Sequence, residues 1–238
     1  MNLVKQIQIF GDSIMRGTLL NPITKRYCTN TEPLKRFEAC FALQIRNQSR
    51  FGNTITRGCK QLRESLDRGG PCDMILLEYG GNDCDFNWQE VAAAPEAEHL
   101  PHTPLDLFQR TYREMLGLLK QRRIQPVVMS LPPIHAQRYI DWISRAGLSK
   151  ENILRWLGDV QMIYRFQELY SAAVSRLAWE TQTLFVDVRS AFLSRHNFEE
   201  LLCEDGIHPN QEGHALIAEV FGDFASDYFG GRLAIPAL

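Results

Sequence analysis

The sequence lacks the features that mark membrane, exported and nucleic-acid-binding proteins. No stretch offers the roughly 18 uninterrupted apolar residues that a membrane helix needs. The first residues, MNLVKQIQIFGDS, lack the long apolar core and cleavage site of a signal peptide. No basic block stands out and the formal net charge is −2, which argues against nucleic acid as the main partner. We therefore predict a protein with no membrane span.

The cysteines have no arrangement that suggests a disulfide framework or a zinc site. There are six, they are scattered, and no C-x-x-C motif occurs among them. In a chain without an export signal, reduced thiols are the better interpretation. We therefore predict a cytoplasmic location.

The composition and length fit one soluble globular domain. Hydrophobic residues make up 45% of the chain and charged residues 23%. A length of 238 residues is long for one domain but does not require two. We predict a single domain over residues 1–238, with insertions at about 83–102 and 132–160.

Short apolar runs alternate with longer amphipathic segments along the chain. Helical spacing of apolar residues predicts helices at Pro33–Leu43 and Leu105–Lys120, and a last helix after Pro209. The predicted strands are Val4–Phe10, Leu43–Ser49, Met74–Tyr79, Pro126–Leu131 and Thr183–Val188. Strands that alternate with helices indicate an α/β fold with a five-stranded parallel sheet covered on both faces.

Two stretches exceed what simple crossovers between strands need. We predict a polar loop at Asp83–His102, and one or two short helices within Pro132–Val160 with Ser149 as a cap. Long insertions in such folds often build the substrate pocket, although a surface subdomain is the alternative. Their tryptophans would line that pocket or form a small core of their own: Trp88, Trp142 and Trp156.

Polar residues follow the predicted strands at the points where the strands end. In an open parallel sheet, ligands bind beyond the carboxyl ends of the strands. Four polar segments should meet there: Gly11-Asp12-Ser13, the segment from Asn47 to Gly52, Gly80-Gly81-Asn82-Asp83 and, after a short helical detour, Asp205-Gly206-Ile207-His208.

These residue types are the ones that acyl transfer requires. A serine hydroxyl attacks only if a base takes its proton, and an imidazole titrates in the right range. A carboxylate on the other ring nitrogen fixes the tautomer, and Asp205 is three residues from His208 with a flexible glycine between them. A backbone N–H at a glycine and an asparagine amide are suitable donors to the developing oxyanion.

Two other classes of protein fit part of this pattern. A metal-dependent phosphoesterase would use the same loop ends as ligands: Asp12, Asn82, Asp83, Asp205, His208 and His214. The familiar Asp-x-His and Gly-Asn-His-Asp/Glu motifs of calcineurin-like phosphatases do not occur, however, and Ser13 would have no task. A non-enzymatic flavodoxin-like binding module would explain the fold but not the convergence of a serine, an Asp–His pair and an asparagine.

The motifs resemble those of the SGNH-hydrolase family, the GDSL-type esterases and lipases. The matching segments are Gly11-Asp12-Ser13-Ile14, Gly52, Gly80-Gly81-Asn82-Asp83 and Asp205-Gly206-Ile207-His208-Pro209-Asn210, in the family's order. The resemblance implies a flavodoxin-like three-layer α/β/α sandwich, a small-molecule ester as substrate, and neither a metal nor an organic cofactor. It also implies hydrolysis through an acyl-serine intermediate.

The resemblance assigns a role to each matching residue. Ser13 would be the nucleophile, His208 the general base and Asp205 its orienting partner. The Ser13 N–H, the Gly52 N–H and the Asn82 side chain would form the oxyanion hole. The second motif departs from the family pattern, since Ser49 stands where a second glycine is frequent, and Gly58 is the rival to Gly52.

Two further histidines, His135 and His214, lie outside these assigned roles. His135 follows the fourth predicted strand and would either contact substrate or lie in a loop. His214 falls in the first turns of the last helix, where the helix dipole disfavours a charged imidazole. We therefore predict a neutral, structural role for His214.

Overall fold

A computed structural model describes residues 6–229 of the chain. Its strands are β1 (Gln6–Gly11), β2 (Thr18–Leu20), β3 (Tyr27–Thr29), β4 (Gln44–Asn47), β5 (Met74–Glu78), β6 (Gln125–Met129) and β7 (Leu184–Val186). Its α-helices are α1 (Glu32–Phe41), α2 (Ile55–Arg68), α3 (Trp88–Ala93), α4 (Leu105–Gln121), α5 (Ala136–Ser144), α6 (Lys150–Leu157), α7 (Gln161–Glu180), α8 (Val188–Leu193) and α9 (Gln211–Phe229). A 3₁₀ helix spans Phe198–Leu201.

Five of these strands form one parallel sheet in the order β4-β1-β5-β6-β7. All five residues of β5 are buried, as expected for a central strand that helices cover on both faces. The predicted five-stranded parallel sheet is confirmed. Val4 and Lys5, at the start of the first predicted strand, lie outside the described residues.

Helices cover both faces of the sheet and make three layers. One core cluster combines the side chains of α2, α4 and α7 with Phe10 and Leu77 of the sheet. The opposite cluster combines α1, α8 and α9 with Ile9 and Leu76. Neighbouring residues of one strand thus enter different cores, because successive side chains of a strand point to opposite faces. The predicted α/β/α sandwich is confirmed.

The two insertions pack on each other and share a third apolar core. Trp88 and Val91 of α3 pack there with Ile140 of α5 and Ile153 of α6. The predicted polar loop at 83–102 is therefore partly wrong, because its apolar residues are buried in α3. The predicted short helices of 132–160 are confirmed, and the Ser149 hydroxyl accepts a hydrogen bond from the Asn152 N–H at the start of α6.

A small antiparallel hairpin, β2 with β3, extends from the end of the main sheet and was not predicted. It begins five residues after Ser13, at Thr18, and brings Tyr27 back toward the carboxyl edge of the sheet. None of the helices within residues 6–229 is both long and apolar enough to cross a bilayer.

Candidate active site

Ser13 lies in the tight turn that follows β1, at the carboxyl edge of the sheet. The turn is closed by backbone hydrogen bonds from the Arg16 N–H to the Asp12 carbonyl and from the Thr18 N–H to the Ser13 carbonyl. Ser13 is only 5% exposed. Its Oγ is 2.9 Å from Nε2 of His208, a residue 195 positions later in the chain. The nucleophile and the base predicted from sequence are thus in hydrogen-bonding contact.

Asp205 holds the other side of the His208 ring. Its Oδ2 lies 2.6 Å from His208 Nδ1, and its Oδ1 accepts hydrogen bonds from the N–H groups of Ile207 and His208, both at 3.1 Å. Burial alone would raise the pKa of Asp205, but these hydrogen bonds and the charge of His208 lower it overall. An ionised Asp205 accepts a hydrogen bond from His208 Nδ1–H, so that the unprotonated Nε2 faces the Ser13 hydroxyl.

Gly206 allows the Asp205–His208 segment to fit closely against α5. Its φ is +74°, and a Cβ at this position would lie 2.7 Å from the His135 carbonyl oxygen. The Gly206 carbonyl in turn accepts a hydrogen bond from the His135 N–H at 2.8 Å. Only a glycine combines this backbone conformation with this close approach.

Two aromatic residues that sequence analysis did not identify enclose the His208 ring. Phe51 stacks on it with ring centroids 5.8 Å apart, and the Tyr27 ring lies at 5.0 Å. The Tyr27 hydroxyl also donates a hydrogen bond to Asp205 Oδ2 at 3.0 Å. Burial and the neighbouring Asp205 raise the pKa of Tyr27, so its hydroxyl stays a donor. No sequence motif indicated either contact, because both depend on the tertiary path of the β2–β3 hairpin and of the loop after β4.

Asp12 orients the predicted oxyanion donor Asn82. The Asn82 amide donates one N–H to Asp12 Oδ2 at 2.8 Å, which leaves its second N–H available. Asp12 Oδ1 accepts the Ile14 N–H at 2.8 Å, and the Asp12 N–H donates to Glu78 Oε2 at 3.2 Å. The Asp12 side chain therefore links the serine turn to the asparagine.

Glu78 is a buried acid beneath this turn that sequence analysis also missed. Burial, followed by the charge of Asp12, raises the pKa of Glu78 well above its ordinary value, and burial raises the pKa of Asp12 less strongly. We therefore assign the proton of the pair to Glu78 and the negative charge to Asp12. Glu78 is the last residue of the buried strand β5, and an acidic residue in an apolar strand is a signal that the sequence already contained.

The predicted oxyanion glycine, Gly52, lies in the loop after β4, next to the Phe51 that stacks on His208. Its φ of +68° suits glycine. The rival, Gly58, belongs to α2, and its N–H donates to the Thr54 carbonyl at 2.9 Å. A Cβ on Gly58 would lie 2.2 Å from the Tyr79 hydroxyl, so this glycine serves helix packing. Gly52 stays the prediction.

Asp83 joins the second and third motif segments. Its carboxylate accepts the N–H of Ile55, the first residue of α2, at 2.9 and 3.2 Å. Burial raises the pKa of Asp83 to about 7. The loop that carries Gly52 is thus fixed to the loop that carries Asn82.

His135 and His214, the two other histidines considered from the sequence, have structural contacts. His135 caps α5, where its Nδ1 accepts the Arg138 N–H at 3.2 Å. His214 is buried, its Nε2 lies 3.0 Å from the Thr18 carbonyl oxygen, and burial lowers its pKa, which agrees with the predicted neutral state. Asn210 accepts the Gly213 N–H at 3.0 Å and so caps α9.

A cavity of about 340 Å³ opens beside Ser13 and His208 and extends between the two insertions. Its walls include Trp88, Trp142 and Phe166, whereas Trp156 packs against Phe86 and Phe166. The insertions therefore both form a core and line a cavity. Within residues 6–229, no three His, Cys, Asp and Glu side chains are grouped as a metal site would require.

A Ser–His–Asp array at the carboxyl edge of a parallel α/β/α sandwich defines a serine hydrolase. A sequence model of the GDSL-like Lipase/Acylhydrolase family matches residues 9–216, which is most of the chain. The protein therefore belongs to this family of ester hydrolases. The predicted family, fold and enzyme class are confirmed.

Comparison with solved structures finds the same fold at low sequence identity. A lipase/acylhydrolase from Enterococcus faecalis superposes with a TM-score of 0.65 at 16% identity, covering 98% of this chain and 100% of that one. An α/β hydrolase enzyme from the metagenome of Lake Arreo gives 0.65 at 20% identity, with 97% of each chain covered. A catalytic mutant of an acetylxylan esterase from Geobacillus stearothermophilus gives 0.64 at 19% identity, covering 93% of this chain and 94% of that one. Among curated proteins, no sequence matches significantly.

Proposed function

We propose that Ser13, His208 and Asp205 catalyse the hydrolysis of small-molecule carboxylic esters through an acyl-Ser13 intermediate. The observation that carries this proposal is the unbroken hydrogen-bonded chain from Ser13 Oγ through His208 to Asp205. We also propose a cytoplasmic location, which the six cysteines support because none of them forms a disulfide.

In the first half of the reaction, Ser13 Oγ attacks the ester carbonyl carbon while His208 Nε2 takes the hydroxyl proton. Asp205 stabilises the imidazolium that forms. The C–O bond to the alcohol then breaks, and His208 returns the proton to the leaving oxygen. In the second half, His208 takes a proton from water, the resulting nucleophile attacks the acyl carbon, and the bond to Ser13 breaks with return of the proton to Oγ.

The oxyanion of both tetrahedral intermediates would accept hydrogen bonds from the free N–H of Asn82 and from the backbone N–H groups of Ser13 and Gly52. Asp12 supports this assignment, because it fixes the Asn82 amide before substrate binds. Preorganised donors of this kind need no reorientation during the reaction, and each contributes about 100- to 1000-fold in rate.

The size of the cavity supports a small ester. A volume of about 340 Å³ is at the lower end of the range of ligand pockets, about 300–1,000 Å³. An acetyl or short acyl group with a compact alcohol fits this volume. The similar acetylxylan esterase fold supports acetyl esters, including those of carbohydrates, as one group of substrates to test.

The test is turnover of p-nitrophenyl acetate by the Ser13→Ala variant. We expect a loss of about 10⁴-fold or more in kcat, because removing one triad member disables the whole unit. Ser194→Ala, which removes an exposed hydroxyl that bonds only its own helix end, is the matched control and should keep full activity. A fluorophosphonate should label the wild type at Ser13, as read by mass spectrometry. Activity that survives in Ser13→Ala contradicts the mechanism.

A further inference from the structure

The cavity beside the catalytic serine contains a carboxylate that the hydrolytic mechanism does not use. Asp85 follows the Gly80–Asp83 motif and lines the cavity, to which it is partly exposed. Its Oδ1 accepts the indole N–H of Trp88 at 2.8 Å, and its Oδ2 accepts the hydroxyl of Tyr139 at 2.6 Å. Because a donor is directed at each oxygen, both contacts favour the ionised form and fix its orientation.

The walls around Asp85 are aromatic. Trp88 and Tyr139, which hold the carboxylate, also line the cavity, together with five further aromatic side chains: Tyr27, Phe51, Phe86, Trp142 and Phe166. The ring of Trp88 makes edge contacts with that of Tyr139, and Phe86 contacts Phe166 at 5.0 Å. Rings packed against each other in this way are held rigid. Their faces attract a cation through the ring quadrupole.

The charged side chains that line the cavity are acidic rather than basic. The acids are Asp12, Asp85 and Glu78, of which Glu78 holds the proton it shares with Asp12; the imidazole of His208 also lines the cavity, whereas no lysine or arginine of the described chain does. Burial raises the pKa of Asp85, although its hydrogen bonds with Tyr139 and Trp88 and the charge of His102 act in the opposite direction. A positively charged ligand in the cavity would offset the loss of water further.

The basic groups near the cavity have other partners. Arg145 stacks on the Trp142 ring and is exposed at the surface. Arg189 pairs with Glu168, and it donates to the Leu131 carbonyl and to Gln167. His102 is exposed, with its Nδ1 at 3.0 Å from the Asn82 carbonyl oxygen. None of the three lines the cavity.

We propose that Asp85 and the rings around it form a subsite for an alkylammonium group of the ester substrate. The subsite rests on the proposed function, since it selects among esters that reach Ser13. A trimethylammonium group matches both parts of the site, because its methyl groups contact aromatic faces while its charge faces the carboxylate. The same wall repels esters that carry a carboxylate or a phosphate.

The test compares two alcohols of equal shape and different charge, choline and 3,3-dimethylbutanol, by isothermal titration calorimetry with the wild-type protein. We expect choline to bind at least about tenfold more tightly. The kcat/KM values of acetylcholine and 3,3-dimethylbutyl acetate should differ in the same direction. Equal affinity of the two alcohols overturns the subsite without any variant being needed.

The Asp85→Asn variant then tests the residue itself. We expect the preference for choline over 3,3-dimethylbutanol to fall by about tenfold. Asp141→Asn removes an equal charge from an exposed position on α5 and should keep the preference. If Asp85 served only to hold Trp88 and Tyr139, both alcohols would weaken equally in Asp85→Asn, and the ammonium subsite would be wrong.

Turnover of p-nitrophenyl acetate separates the two proposals. An enzyme that hydrolyses this neutral ester but ignores ligand charge contradicts only the ammonium subsite. A protein that prefers choline in calorimetry but hydrolyses no ester of this set contradicts only the proposed hydrolysis.

Discussion

The hydroxyl of Tyr27 provides a sensitive test of how the triad is tuned. Tyr27 and the imidazole of His208 share one oxygen of Asp205, at 3.0 and 2.6 Å. The tyrosine hydroxyl withdraws negative charge from the oxygen that stabilises the protonated imidazole. In Tyr27→Phe the ring contacts with His208 and Phe51 stay, but this withdrawal is lost. Asp205 should then hold the protonated, inactive state of the base more strongly.

The size of the expected pH shift follows from the strength of the Tyr27–Asp205 hydrogen bond and from the solvent exposure of Tyr27. A hydrogen bond to a charged group contributes about 1.5–3 kcal/mol. Tyr27 is 38% exposed, so the lower value applies, and only part of it distinguishes the two protonation states of the base. About 1 kcal/mol corresponds to about 0.7 of a pH unit. We therefore expect the acidic limb of kcat/KM against pH to move up by about 0.5–1 unit in Tyr27→Phe.

The assay is kcat/KM for p-nitrophenyl acetate measured across the acidic limb. Tyr112→Phe is the matched control, since its buried hydroxyl donates to the Leu77 carbonyl at 3.1 Å and lies in the core beneath the sheet. The control should lose about 1 kcal/mol of stability and leave the limb unmoved. A limb that stays in place in Tyr27→Phe, or that moves to lower pH, refutes the shared-oxygen argument.

Two other variants test the supports of the site. Gly206→Ala should lose about 2–4 kcal/mol of unfolding free energy and most of its kcat, because alanine strains the positive φ and its Cβ clashes with the His135 carbonyl. The control Gly158→Ala has a similar φ but open space around it, so it should lose about 1 kcal/mol and keep its kcat. Equal losses in the two variants would contradict the close-packing argument. Burial raises the pKa of Asp83 from its ordinary 3.8 to about 7. Between these two pH values the folded protein keeps a proton on Asp83 that the unfolded chain has released, so the stability of the fold decreases as the pH rises. The Tm of Asp83→Asn relative to wild type should therefore be higher at pH 8 than at pH 5, and a difference that is constant with pH would show that Asp83 is not protonated.

The order of the sheet explains why much of the site could be predicted from the sequence. Ser13 and Asn82 follow strands that are neighbours in the sheet, β1 and β5. The Asp205–His208 spacing is local to one turn. The position of a residue after a strand and the spacing of two residues within one turn can both be read from a single sequence. The three-layer fold followed in the same way from strands that alternate with helices.

The missed parts depend on contacts between segments that are distant in sequence. Strand β3 is three exposed residues with no apolar alternation, so nothing marked Tyr27 as a neighbour of Asp205. Helices α2 and α7 were also not predicted, but for them the sequence does contain a local signal. Ile55, Cys59 and Leu62 recur at helical spacing in α2, as do Ile163, Tyr170 and Val174 in α7, and this signal was available.

The proposed nucleophile, Ser13, and its proposed base, His208, are 195 residues apart in the chain, so the ribosome makes them at different times. At about 5–20 residues per second, the ribosome makes Ser13 roughly 10–40 s before it makes His208. During that interval the nascent chain carries the serine without the imidazole that activates it. Under the proposed mechanism, catalytic competence therefore arises in one late step, after most of the sheet has been translated, and any chain released before His208 would carry no reactive serine.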